Sequence, residues 1–308
     1  FAVVNPSGSP RVMLAGHIDE IGLQITHIDD DGFVYIAGIG GWDPQVLVGQ
    51  RVTVLGKDGD VAGVIGKKAI HLMDPEDRTK ASEMKKLWVD MGASSKEEVR
   101  DLGVRVGDPM VVSQRMVRLA GDRIASRAID DRIGAFVVLE AIRMLSSDPP
   151  AACATAVATV QEEIGFNGGG AMPSAYSLEP DVAIVVDVTF STDVPDVEKK
   201  ELGDHKLGGG PVLSRGSAAH DGVFEMLASV ADEEGIPYSI QASPRATRTD
   251  ADGIFLTRAG VPTGLVSVPN RYMHSPNEII SIEDLLNSAR LVAAFIRRLT
   301  PETDFTPR

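Results

Sequence analysis

Carboxylates and imidazoles recur at the ends of apolar runs in this chain, and they define the chemistry open to it. Ala151–Val160 is small and β-branched almost throughout, and it gives way to Glu162, Glu163 and Gly165. Such a run suits a strand buried on both faces of a parallel sheet, where ligands bind at the carboxyl ends of the strands. Two acids in that position are costly unless cations meet them, because a buried, unpaired carboxylate is strongly disfavoured. Arg11–Ala15 is a second apolar run, followed by Gly16, His17, Ile18, Asp19 and Glu20. If the strand persists through Asp19, His17 and Asp19 share a face, which pairs an imidazole with a carboxylate able to orient it. Asp130 and Asp131 precede a helical apolar pattern at Phe136, Val138, Leu139, Ile142 and Leu145. One Asp explains a helix cap, and a second adjacent one is left without that reason. Asp181–Val186 is a third buried-strand run and ends in Asp187, while Thr263–Val268 runs on towards His274.

Each of these features alone has an ordinary explanation: a solvated pair at a strand end, a surface His–acid pair, a cap. Together they put two imidazoles and several carboxylates on the ligand-binding edge of one sheet. So many acids cannot share a cleft without cations, since like charges at close range push protons back onto them. Divalent metals resolve the repulsion, and nitrogen and oxygen donors without thiolate fit Zn, Co or Mn better than Ca or a structural Cys-rich site. Two metals about 3.5–4 Å apart need a bridging carboxylate and leave a shared water to activate. A free carboxylate beside that water acts as general base. Adjacent glutamates serve both needs. The G-x-S-x-G elbow, the G-x-G-x-x-G loop and the Walker pattern are all missing, and Cys153 lies in mid-strand.

The elements that must position these groups read as α/β at both ends of the chain. Phe1–Val4 reads as a strand, and its abrupt start leads us to expect that a natural N-terminal segment precedes it. Between about residues 21 and 124 the grammar changes to short alternating runs (Phe33–Ile36, Arg51–Leu55, Val61–Ile65) between Gly-rich turns. Ser95 and Glu98 form a capping box ahead of a short helix, Lys96–Leu102. Residues 21–124 are thus expected to be a small β-rich domain inserted in a discontinuous α/β domain of residues 1–20 and 125–308. Further on, Asn167-Gly168-Gly169-Gly170 reads as a flexible corner before a helix around Ala171–Tyr176. A helix over Gly222–Glu234, a strand near Tyr238–Ala242, a polar loop at Arg245–Asp252 and a closing amphipathic helix at Ile282–Leu299 follow. That last helix begins after Ser281, with Glu283 and Asp284 in its first turn.

Composition narrows the partners. With 308 residues the chain has ample length for a proper core. Its 30 Lys+Arg against 44 Asp+Glu give a formal charge of −14, which argues against nucleic acid or an anionic membrane surface. No apolar stretch reaches the ~20 residues needed to span a bilayer. A single cysteine permits no intrachain disulfide, so a reducing, cytoplasmic setting is expected.

The motifs G-H-I-D-E-I-G-L (16–23), A-I-D-D-R-I-G (128–134), V-Q-E-E-I-G (160–165), V-D-V-T (186–189), T-D-A (249–251) and M-H-S (273–275) resemble, in order and spacing, the dinuclear-metal aminopeptidases of the M42 peptidase family, which include the tetrahedral (TET) and glutamyl types. The resemblance implies a zinc-exopeptidase-like fold, with a mixed, largely parallel sheet flanked by helices. It implies two divalent ions per subunit, Zn or Co, with Mn also possible, held by His17, Asp130, Glu163, Asp187 and His274. Asp130 resembles the bridging carboxylate, joined to Asp131 by a cis peptide. Asp19 resembles the residue that orients His17, Glu162 the general base, and Thr249 and Asp250 a loop lining the substrate site. Residues 21–124 correspond to a dimerisation domain in a family that forms dimers and dodecamers with internal active sites. One departure stands out: the family often has Gly before T-D-A, and here Arg248 stands there. The resulting expectation is a homo-oligomeric aminopeptidase acting on peptides. The alternatives are the same metal centre acting on another amide or a glycan, as in relatives labelled endoglucanases, or a non-catalytic, metal-stabilised assembly.

Overall fold

The computed structural model describes residues 1–165 and 169–306, so Asn167 and Gly168 of the glycine corner lie outside the described residues. The chain forms two compact units, one of Phe1–Glu20, Val117–Met273 and Glu278–Arg308, the other of Ile21–Met116 with His274–Asn277.

The first unit is built on a seven-stranded sheet, in spatial order Ala2–Val4, Cys153–Thr159, Arg11–His17, Val182–Phe190, Thr263–Asn270, Val212–Arg215 and Ser239–Ala242. The four strands from Cys153–Thr159 to Thr263–Asn270 run parallel, with an antiparallel strand on either side of them. All eight residues of Thr263–Asn270 are buried, the signature of a strand covered on both faces. One face packs Leu14, Ile184 and Val266 against Val138, Leu227 and Phe295 of the helices Ile129–Leu145, Asp221–Glu233 and Ile282–Arg298. The other packs Met13, Ala15, Val185 and Leu265 against Ala171, Ala175 and Ile254 of the short helices Ala171–Leu178 and Ala251–Ile254. Alternate residues of one strand thus feed two separate cores, as a three-layer α/β/α unit requires. Val182–Phe190 runs three residues past Asp187, although the apolar run by itself stops at Val186. Val117–Leu119, which falls inside the expected insert, and Arg123–Ser126, which straddles its expected end at residue 124, form a small antiparallel sheet with Glu278–Ser281.

The second unit is a closed six-stranded barrel of Gly22–Ile28, Val34–Ile39, Trp88–Asp90, Gly59–Gly66, Arg51–Gly56 and Pro109–Val112, with every pair antiparallel. Alternation supplies its interior: Val52 and Val54 point in with Leu23, Ile25, Val34 and Ile65. In the short helix Lys96–Asp101, Ser95 Oγ accepts the Glu98 N–H at 3.2 Å, and Glu98 reaches back to the Ser94 N–H at 2.7 Å. Among the described residues, no helix is long and apolar enough to cross a membrane.

Candidate metal centre

Arg11–His17 lies between Cys153–Thr159 and Val182–Phe190, so three carboxyl ends converge on it. Thr159 stands beside His17, and Val185 beside Ala15. Asp187, two residues beyond Val185, therefore falls level with His17 and on its face. Helix Ile129–Leu145 brings two more acids from the adjoining layer. It can approach because strand and helix meet through glycine: a Cβ on Gly16 would lie 2.4 Å from the Gly134 carbonyl carbon. Asp131 closes this junction, its Oδ2 accepting the His17 N–H at 3.1 Å and its Oδ1 the Gly134 N–H at 3.0 Å. The peptide between Asp130 and Asp131 is cis, and both residues leave helical geometry (φ −74°, ψ 108° and φ −123°, ψ 36°). The Asp130 N–H donates to the buried Glu278 carboxylate at 3.0 Å.

The His17 ring is held on one side and open on the other. Its Nδ1 lies 3.2 Å from the Asp19 backbone oxygen and 3.5 Å from Asp19 Oδ1. That leaves Nε2 to face Asp130 Oδ1 at 3.2 Å and Glu162 Oε2 at 3.9 Å. Asp19 also gathers the acids themselves, because its carboxylate accepts the N–H groups of Glu162 (3.4 Å) and Glu163 (3.3 Å). Donor atoms of His17, Asp130 and Glu163 lie within 4.8 Å of one another, and so do those of His17, Asp131 and Asp187.

Of the residues singled out in the sequence, His17, Asp19, Asp130, Glu162, Glu163 and Asp187 therefore meet at one edge of the first unit. Asp250 lies close to them: buried, it accepts a short hydrogen bond from Thr159 Oγ1, while its Oδ1 has no partner. Thr249 Oγ1 is engaged within its own loop, with Thr247 Oγ1 (2.9 Å) and the Ala251 N–H (3.2 Å). His274, with left-handed backbone (φ 59°), is part of the second unit, where Gly41 leaves room for its ring: a Cβ there would come within 3.2 Å of Nδ1. Asp131 was read only as a surplus acid at a helix start, and that surplus was the trace of its bracing role. Of the other histidines, His205 is buried and bonded to Ser239 Oγ (2.8 Å) and the Leu202 carbonyl (2.9 Å), and His220 caps the Gly222 N–H.

Charge decides what this cluster is for. Burial raises the carboxyls of Asp131 and Asp187 well above the usual range, and neighbouring acids push the same way against the charge of His17. Glu162 is pushed up to about 8, by burial first and then by Glu163, Asp250 and Asp130, against the pull of His17. Burial first, with the charge of Asp19 behind it, takes Asp250 to about 6 against the hydrogen bond from Thr159 and the charge of His17. On His17 burial works to lower the pKa, but hydrogen bonds to Asp130 and Asp19 overcome it and hold the imidazole protonated. Burial also works against ionisation of Asp19, whose carboxyl is nonetheless lowered by His17. The cluster thus takes up protons unless stronger cations displace them, and a nitrogen–oxygen donor set without thiolate suits divalent transition metals. The residues present fit such ions.

Comparison with known proteins agrees with this chemistry. The family model described as M42 glutamyl aminopeptidase matches residues 1–291. The lysyl aminopeptidase of Pyrococcus furiosus is 36% identical over 300 residues, covering 97% of this chain and 84% of that protein. A TET aminopeptidase from a marine sediment Thaumarchaeota archaeon superposes with a TM-score of 0.90 at 37% identity, over 96% of this chain and 83% of its own. The TET1 peptidase of Pyrococcus horikoshii, which can assemble into a tetrahedron or a large octahedral shell, gives 0.82 at 32% identity, over 95% and 85%. With the site and nearly the whole chain covered by these matches, the protein belongs to the M42 peptidase family and is a metal-dependent aminopeptidase.

Proposed function

We propose that the chain removes N-terminal residues from peptides with two divalent cations, Zn or Co in first place and Mn in second. His17, Asp130, Glu163, Asp187 and His274 would hold them. The observation that carries this reading is the meeting of His17 with Asp130 and Glu163 and with Asp187, largely buried, at the carboxyl edge of the sheet. Bound there, the ions would polarise the scissile carbonyl and make water nucleophilic at neutral pH. Asp19 holds Nδ1 of His17, so that Nε2 presents its lone pair to the site. Asp131 fixes the backbone on which that ring stands. Glu162 takes the proton from the attacking water and hands it to the leaving amine as the peptide C–N bond breaks. Burial pushes its carboxyl above the ordinary range in the metal-free pocket, the direction that proton carriage near neutrality requires. Thr249 and Asp250 line the substrate side. The relatives named above are aminopeptidases, and a half-buried Glu162 beside the donors suits proton transfer better than a purely structural metal site. The assembly of the TET1 relative supports a homo-oligomer, and the barrel unit is assigned to dimerisation. Buried Cys153 fits work in the reducing cytoplasm.

The test strips the protein with chelator and restores Zn²⁺ or Co²⁺ while following aminoacyl p-nitroanilides. Activity should vanish and return as two equivalents per subunit bind, and N-acetylated peptides should stay intact. Glu162→Gln should bind the same two equivalents with turnover about 10²–10⁴-fold lower. Full activity after stripping would sink the reading, and full recovery at one equivalent would sink its two-ion part.

A further inference from the structure

We infer that Glu20 is a positioning residue of the metal centre: it clamps Arg127 and Arg132, one on each side of the Asp130–Asp131 bend, and so fixes where the Asp130 carboxylate stands against the His17 ring. This rests on the two-ion reading and goes beyond it.

The bend has little to hold it from within. Ala128, with left-handed backbone (φ 56°), precedes helix Ile129–Leu145 and gives it no side-chain cap. Asp130 and Asp131 then depart from helical angles, so the first turn lacks the dihedrals that regular helical hydrogen bonds require. Its position is set from outside. Glu20 Oε1 accepts from Arg132 Nη2 at 2.8 Å, and both Glu20 oxygens accept from Arg127 Nη1. Arg127 directly follows strand Arg123–Ser126, and Arg132 directly follows Asp131, so one carboxylate holds both flanks of the bend from 107 and 112 positions away. The Glu20 side chain is 12% exposed and that of Arg127 24%, unlike the i,i+3 pair of Glu140 with Arg143 on the same helix, whose arginine is 70% exposed. Removing the Glu20 carboxylate leaves a largely buried guanidinium without its counter-charge.

Geometry gives the clamp its consequence. The Asp131 carboxylate ties the start of the helix to the His17 N–H, and a single tie lets the two segments pivot about it. Glu20, three residues further along, is a second tie between the same segments, and two separated ties remove the pivot. The stretch from His17 to Glu20 then holds three parts of the site at once. His17 offers Nε2 to Asp130, Asp19 holds the N–H groups of Glu162 and Glu163, and Glu20 holds the bend. Donor atoms that must converge within about 0.5 Å depend on such ties, because a displacement of about 1 Å costs about 100-fold in rate.

The experiment titrates chelator-stripped protein with Co²⁺, reading affinity and the visible d–d absorption of the bound ion, then measures kcat and KM at saturating Co²⁺. The variants are Glu20→Gln, Arg132→Ala, Arg132→Lys, Glu20→Gln combined with Arg132→Ala, and Glu140→Gln. Glu20→Gln should bind Co²⁺ about tenfold to a hundredfold more weakly with a shifted absorption band, and kcat should fall by a similar factor with KM within about twofold of wild type. Arg132→Ala should move the same readouts the same way. Arg132→Lys should recover most of that loss, because Arg132 supplies a single hydrogen bond to Glu20. The double variant should lose little more than Glu20→Gln alone, as expected for two members of one clamp, and Glu140→Gln should match wild type. Wild-type affinity and absorption in Glu20→Gln would remove Glu20 from the site, and so would a lower melting temperature as its sole effect. Losses that multiply in the double variant, or an equal loss in Glu140→Gln, count against the clamp in the same way. Should Glu20→Gln fail to fold, the two Arg132 variants decide by the same readouts. Wild-type protein that binds no Co²⁺ would overturn the two-ion reading itself, whereas two equivalents bound regardless of Glu20 overturn this inference alone.

Discussion

Glu162 and Glu163 are neighbours in the chain with different partners. Glu163 shares a donor cluster with His17 and Asp130, whereas the Glu162 carboxylate stands off from the His17 ring by 3.9 Å. Both hang from the same anchor, the Asp19 carboxylate that accepts their N–H groups. The pKa pattern here has a direct consequence for stability. In metal-free protein Glu162 sits at about 8 and Asp250 at about 6, both above their ordinary values, so the folded state holds more protons than the unfolded one between roughly pH 4 and 8. Their contribution to stability is full below the ordinary carboxyl range and is lost as pH rises through those raised values. His17, also raised, acts in the same direction. Chelator-treated protein should therefore melt at a lower temperature at pH 8 than at pH 6. Zn²⁺ should reverse the trend, because metal competes with protons for the same atoms. Equal melting temperatures at the two pH values without metal would contradict the assignment.

Among the elements, the contact that matters most is the one between strand Arg11–His17 and helix Ile129–Leu145. It is a glycine contact that brings Asp131 to the His17 N–H. Gly134 has no room for a side chain, since a Cβ would lie 2.1 Å from Asp131 Oδ2, and Gly16 faces the same helix backbone. Gly16→Ala should force the helix outward at a cost of about 1–3 kcal/mol and loosen the Asp131 bond to the His17 N–H. The expected result is a lower denaturation midpoint together with weaker metal binding in the same titration. A variant with native midpoint and native affinity would show that the junction has slack. The closing helix Ile282–Arg298 shows what element boundaries conceal. Ser281 precedes it and looks like its cap, yet its side chain makes no capping bond. Asp122 instead accepts the Glu283 N–H at 2.6 Å from 161 positions away. Asp284, expected only to favour the helix dipole, turns to hold the N–H groups of Gly208 and Gly210, each at 2.7 Å.

At the scale of the molecule, one chain builds two units of different grammar, an α/β/α layer and a closed barrel. The barrel unit leaves Ile70 and Leu72 exposed at 53% and 70%. Adjacent exposed apolar side chains are candidates for burial by another copy. The protein should sediment as a homo-oligomer, and Ile70→Asp combined with Leu72→Asp should shift it to smaller species with the barrel still folded, read by sedimentation and circular dichroism. A wild-type monomer at micromolar concentration would remove the oligomer from the reading.

Much of this was legible in the residues, for a physical reason. A strand covered on both faces must be apolar along its length, so Cys153–Thr159 and Arg11–His17 announced themselves, and the polar groups at their ends stood out as unsatisfied. Alternation likewise marked the barrel stretch as β. Long-range pairing could not be read, because it depends on which atoms meet and not on local pattern. Strand Val182–Phe190 continues past Asp187 because Thr263–Asn270 pairs with it to the end, Val117–Leu119 leaves the insert because Arg123–Ser126 binds it, and Asp122 caps a helix far along the chain. The residue types pointed to cations at this edge. Only tertiary packing decided that Asp131 braces His17 while Asp130 faces its ring, because two neighbouring aspartates are told apart solely by the groups brought to each of them.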